Sequence, residues 1–235
     1  METQLSPAAP IGSSKRMQAC LRELASFPHL HDSNFEKACS AMLVNFSQYG
    51  RGQAEWTALE QLSQDGTTFL RITKPLLVHA DPLDASANDE EAELDEEDDD
   101  EVADRAAVPC PAVIQYDVVL SPSYRVPVLY FTVVDSQHRY PPTLETLYSC
   151  IIPPTFKTQA EHVGVIGGIT LTDHPATNKP VFFIHPCQTA DVMEASAGGQ
   201  NINAYDYLLM WIGALGKHVG LTVPLSLVIT DQRQT

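Results

Sequence analysis

A chain of 235 residues with 44% apolar content is long enough to bury one core without disulfide or metal staples. Its net charge of -16 is concentrated between residues 81 and 104, which hold 14 of the 30 acidic groups and no Lys or Arg; the remaining 16 acids face 14 bases, so no basic surface for nucleic acid is expected. The five cysteines (Cys20, Cys39, Cys110, Cys150, Cys187) are widely spaced with no C-x-x-C pair, and no apolar run has the length of a membrane span or signal core. A reducing, cytoplasmic setting follows, without disulfides or a transmembrane segment.

Taken in chain order, residues 1–32 read as a poorly ordered leader, rich in Ser, Pro and Ala at its start. Ser33-Asn34-Phe35-Glu36 resembles an N-cap box, and Phe35, Ala38, Cys39, Met42, Leu43 and Phe46 recur at helical spacing, which predicts a first amphipathic helix over 34–48. The runs 53–60 and 67–73 flank Gln64-Asp65-Gly66 and predict a hairpin through an Asp-Gly turn.

The acidic stretch 81–108 is expected to be a disordered insert, because its like charges repel and little in it is apolar; it is either a solvated spacer, the favoured reading, or a segment that recruits a partner. Val113–Leu120 and Val126–Val134, rich in Val, Tyr, Leu and Phe, predict a second, central hairpin. A short helix is expected after Pro141-Pro142-Thr143, and the Gly- and Pro-rich stretch 153–180 reads as irregular connection. Val181–Ile184 then forms a brief strand that His185-Pro186 stops, Cys187 falls just before a short helix, and Ile202, Tyr205, Leu208, Leu209, Ile212, Leu215 and Val219 mark a longer helix over 201–218. The expected architecture is α+β: one domain over 33–228, with a central antiparallel sheet of about four strands flanked by helices, and a tail at 229–235.

Cys187 is the leading candidate for chemistry. A thiolate is both a good nucleophile and a good leaving group, and negative charge is favoured at a helix N-terminus. His185, two residues earlier, points to the same side of an extended strand and could assist or shape the turn. A zinc reading would gather His174, His185, Cys187 and Cys150, but His-x-Cys without a second close pair is a poor structural-site pattern. A cysteine protease would need a distant partner such as His218, and no local protease signature accompanies it. Gly164, Gly167 and Gly168 precede neither a Lys nor a periodic helix, so no phosphate loop is indicated.

His-Pro-Cys between an apolar strand and a short helix, in VFFIHPCQTADVM, resembles the active-site motif of the autophagy conjugating enzymes. With FEKACSAMLVNF, YDVVLSPSYRVPVLYF and the C-terminal YLLMWIGALGKHVGLTVPLSL, the sequence resembles the autophagy-related protein 10 family over roughly 33–228 outside the insert. The sister family, autophagy-related protein 3, usually follows its cysteine with Arg-His-Ala where Gln188-Thr189-Ala190 stands here, although it too carries an acidic insert.

The resemblance implies a fold like that of ubiquitin-conjugating enzymes and no cofactor. Cys187 would receive the autophagy-12 modifier from the activating enzyme, protein 7, and pass it to a lysine of autophagy protein 5. Ordinary members of the wider fold use His-Pro-Asn for the oxyanion. Here His174-Pro175 is followed by Ala176, Thr177 and Asn178, so Asn178 or Thr172 is the expected donor, unless Asn178 only makes a turn. Tyr124, in the hairpin that adjoins the active site in this family, is a supporting residue, with Tyr116 nearby in sequence. The alternatives are the sister enzyme that conjugates a modifier to a lipid amine, and a noncatalytic adaptor with a degenerate conjugating fold.

Overall fold

The computed structural model describes residues 23–50, 53–77, 111–156 and 168–228. The acidic insert, the tail from 229, and the first 22 residues of the expected leader lie outside the described residues.

Helix α1 spans Asp32–Tyr49 and buries Phe35, Ala38, Cys39 and Met42, so the helical spacing predicted its core face. Its N-cap is His31 without a side-chain capping bond; Ser33 lies inside the helix, and the expected capping box does not form. Six strands follow: β1 Ala58–Gln64, β2 Thr67–Pro75, β3 Val113–Leu120, β4 Pro127–Val134, β5 Ile169–Asp173 and β6 Pro180–Ile184. They form one antiparallel sheet in the order β1-β2-β3-β4-β6-β5.

Among the described residues the sheet therefore has six strands where about four were expected; Val181–Ile184 was expected as a brief strand and joins the sheet as β6, while β5 was not expected at all. Residues 153–180, read as irregular connection, contain β5 and the first residue of β6. Four of the five β5 residues are exposed, so no alternation of apolar and polar residues betrays this edge strand. The first hairpin turns at Asp65 and Gly66, both at positive φ as an Asp-Gly turn requires. Its first strand begins at Ala58, later than expected, because Gln53 Oε1 accepts the N–H groups of Glu55 and Trp56 and holds 53–56 as a turn.

One sheet face carries the main core. Leu70, Ile72, Tyr116, Val118, Leu129, Phe131 and Phe182 pack against α1 and against α3, Ala204–Leu215, which contributes Tyr207, Leu208, Trp211 and Ile212. The Phe131 ring stacks between Tyr116 at 5.9 Å and Phe182 at 5.3 Å. The expected helix over 201–218 is α3 followed by a tighter turn over Gly216–Val219. Residues 23–32 are not a loose leader: Leu24 N–H donates to the Ile202 carbonyl at 2.9 Å, Tyr207 Oη donates to the Pro28 carbonyl at 2.8 Å, and Leu30 is fully buried.

Candidate active site

Strand β6 leads into the turn that carries Cys187. Its neighbours β4 and β5 fix its direction, and Pro186, which has no N–H, ends the ladder. The last ladder donor is the His185 N–H, which reaches the Gly168 carbonyl at 3.2 Å. Gly168 sits at φ +76, and a Cβ there would stand 3.3 Å from His185 Cβ, so this position favours glycine on both counts. Pro186–Gln188 forms one 3-10 turn, and helix α2, Thr189–Ala197, begins directly behind it with Thr189 buried. Pro186 is buried, while Cys187 is exposed.

His185 is held on three sides. The Cys187 N–H donates to its Nδ1 at 3.2 Å. Its ring meets Tyr124 at 5.6 Å and Phe183 at 5.9 Å, both edge-on. Because Nδ1 accepts, the neutral ring carries its proton on Nε2 and is a donor there.

The rings continue across the face of the sheet opposite the main core. Tyr130 meets Phe183 and His174 at 5.2 Å each, and Phe69 meets His174 at 5.2 Å. His174 is buried, its Nδ1 accepts the N–H groups of Ala176 at 3.1 Å and Thr177 at 3.3 Å, and its Nε2 faces Asp117 Oδ2 at 3.2 Å. Arg71 completes this cluster with two bonds to Asp117, at 2.7 Å and 2.6 Å. Burial pushes the Asp117 carboxyl up, but the hydrogen bonds and charges of Arg71 and His174 outweigh it and hold the carboxyl below the usual carboxylate range.

Of the residues expected to serve the reaction, His185, Cys187 and Tyr124 are brought together. Asn178 and Thr172 are not. Asn178, at φ 53, lies in the turn that joins β5 to β6, with its N–H on the His174 carbonyl at 2.9 Å. That turn is at the far end of β6 from Cys187, about 13 Å away along the strand at ~3.3 Å per residue. Thr172 pairs with Val181, about 10 Å by the same rise before the level of Ile184. Asn178 thus does the work of a turn residue. Tyr116 is buried in the core, its hydroxyl donating to the Val219 carbonyl at 2.6 Å. His174 and Cys187 sit at opposite ends of the hairpin and do not gather around one ion.

Sequence reading missed Gly168 and Arg125. Gly168, directly after Gly167 in a Gly- and Pro-rich stretch, looked like part of a loose loop, and Arg125 looked like an ordinary turn residue.

Comparison with known proteins agrees with this geometry. Residues 34–226 match the family model described as autophagocytosis associated protein, active-site domain. The chain is 31% identical over 231 residues to the ubiquitin-like-conjugating enzyme ATG10 of Gibberella zeae, covering 86% of this chain and 97% of that one. It is 35% identical over 131 residues to human ATG10, covering 55% and 58%, and 31% identical over 118 residues to that of Arabidopsis thaliana, covering 48% and 51%. Among the described residues, no helix is long and apolar enough to cross a membrane. The His-Pro-Cys segment at the end of an antiparallel sheet, the family model and these relatives agree: the chain belongs to the autophagocytosis-associated active-site family, in its ATG10 branch of ubiquitin-like-conjugating enzymes, transferases of autophagy that take a modifier from an activating enzyme.

Proposed function

We propose that Cys187 carries the autophagy-12 modifier as a thioester, received from activating enzyme protein 7, and passes it to a lysine of autophagy protein 5. The observation that carries this reading is the exposed Cys187 in a 3-10 turn whose N–H is held by His185, with Tyr124 at the same site. In the transfer, the neutral lysine amine attacks the thioester carbonyl. A C–N bond forms, the C–S bond breaks, Cys187 leaves as thiolate, and the ammonium proton goes to water. His185, a donor through Nε2, supports the oxyanion and is not the base.

The test of the pathway is a charging assay with activating enzyme, ATP and either the autophagy-12 or the lipid-conjugated modifier, run on nonreducing gels. A reductant-sensitive adduct with the autophagy-12 modifier, discharged onto autophagy protein 5, is expected. An adduct with the lipid-conjugated modifier alone would move the chain to the sister activity, and none with either would leave the noncatalytic adaptor.

The role of His185 is separable by two substitutions. Asn places an acceptor near the Nδ1 position but no donor at Nε2, whereas Gln reaches the Nε2 position and gives up the bond to Cys187. His185→Asn is expected to charge normally and to discharge about a hundredfold more slowly, the scale of losing one oxyanion donor. His185→Gln should lose about tenfold, from a looser loop. Single-turnover discharge near the wild-type rate in His185→Asn, with the loss confined to His185→Gln, would mean that His185 only shapes the turn.

A further inference from the structure

The turn between β3 and β4 is tied to the start of α1 by one residue, and it carries Tyr124 to His185. Arg125 adopts the left-handed conformation at φ 56. Its N–H donates to the Ser121 carbonyl at 2.9 Å, and its carbonyl accepts the Leu30 N–H at 2.6 Å. Its guanidinium donates through Nη2 to His31 Nδ1 at 2.6 Å and stands 3.7 Å from Asp32. Arginine only donates, so His31 Nδ1 is the acceptor. His31 makes no side-chain capping bond to α1, which leaves its ring free for this contact.

The adjacent residue is Tyr124, whose N–H is held by Ser121 Oγ at 3.2 Å and whose ring meets His185 edge-on at 5.6 Å. His185 in turn holds the Cys187 N–H.

We propose that Arg125 is a positioning residue for the transfer: by clamping the β3–β4 turn to the N-terminal end of α1 it keeps Tyr124 against His185, and so fixes the Cys187 turn. The proposal rests on the carrier role of Cys187 for its effect on the reaction, but the linkage from Arg125 to His185 stands apart from it. A left-handed arginine is an expensive choice for a turn, because its Cβ crowds the following carbonyl and glycine would adopt the conformation freely. The side chain gives a reason for it. With the backbone in this conformation the guanidinium lies on His31 while Tyr124 lies on His185.

The variant that separates clamp from backbone is Arg125→Gly, which keeps the turn conformation and removes the guanidinium. Its melting temperature should equal or exceed that of the wild type, since the Cβ crowding goes and only exposed contacts are lost. Single-turnover discharge of the charged enzyme should fall about tenfold, within the range that ångström-scale misplacement of a reacting group costs. The His185 ring signals in NMR spectra should shift with the loss of the Tyr124 edge. His31→Ala, which loses no capping bond, should show the same changes to a smaller degree. In a Tyr124→Ala background, Arg125→Gly should add nothing further to the loss, because its effect passes through Tyr124.

Wild-type discharge by Arg125→Gly, unchanged His185 signals, or a full additional loss in the Tyr124→Ala background would overturn the proposal. If wild-type enzyme forms no thioester on Cys187, the carrier reading fails, and the His185 signals of Arg125→Gly still decide whether the clamp exists.

Discussion

Cys187→Ala is expected to form no modifier adduct in the charging assay, and Cys187→Ser to form one that survives reductant and does not discharge onto lysine. The serine variant retains a nucleophile, but its ester has a much poorer leaving group than a thiolate, so transfer should slow by about a thousandfold or more. Other thiols offer no substitute among the described residues. Burial pushes the Cys39 thiol up to about 12, which keeps it protonated, and Cys150 is half-buried, 3.2 Å from Ser149 Oγ. Cys20 and Cys110 lie outside the described residues, so the control is the Cys20→Ser, Cys110→Ser double variant, which should charge at the wild-type rate. A reductant-sensitive adduct that persists in Cys187→Ala, or that disappears in the control, would remove Cys187 from the role.

What the sequence displayed of this site was local. The period of Phe35, Ala38, Cys39 and Met42 marked the buried face of α1, and the Val- and Tyr-rich runs marked β3 and β4 to within a residue. Both signals arise because those elements bury one face against a core, which forces a period on the residues. Cys187 was visible for a similar reason: an apolar strand, a proline stop and a helix start leave it at a junction.

The failures share a physical cause as well. Strand β5 lies at the sheet edge with Thr170, Leu171, Thr172 and Asp173 exposed, so no burial pattern is imposed on it. Without β5, the level of Asn178 relative to Cys187 could not be read, and the expected oxyanion donor was placed beside the wrong end of β6. Arg125 and His31 stand 94 residues apart, and nothing in a local window connects them. Contacts of that kind follow from the register of the sheet, which only the fold supplies.

The same register predicts that the second histidine cluster serves stability and not transfer. Arg71, Asp117 and Tyr130 face one another across β2, β3 and β4, and His174 folds over them from the β5–β6 turn. Removing the carboxylate in Asp117→Ala leaves Arg71 without its bidentate partner and the buried His174 Nε2 facing nothing. Breaking a buried charged pair by deleting one member costs about 3–5 kcal/mol, and the partial exposure of Arg71 moves the expected loss toward the lower figure. That is a large share of a total stability of about 5–15 kcal/mol, and should lower the urea midpoint by on the order of 1–2 M. The sign of the pH dependence follows from the depressed Asp117 carboxyl. Its contribution is fully present above the unfolded value of about 3.9 and is lost as pH falls through the lower folded value, so the gap between wild type and Asp117→Ala should narrow in acid. At neutral pH and a temperature where Asp117→Ala remains folded, single-turnover discharge should stay within about twofold of wild type, since this cluster sits at the opposite end of the β5–β6 hairpin from Cys187. A collapse of discharge in a folded Asp117→Ala would instead make the ring series from His174 through Tyr130 and Phe183 to His185 part of the machinery that sets the Cys187 turn.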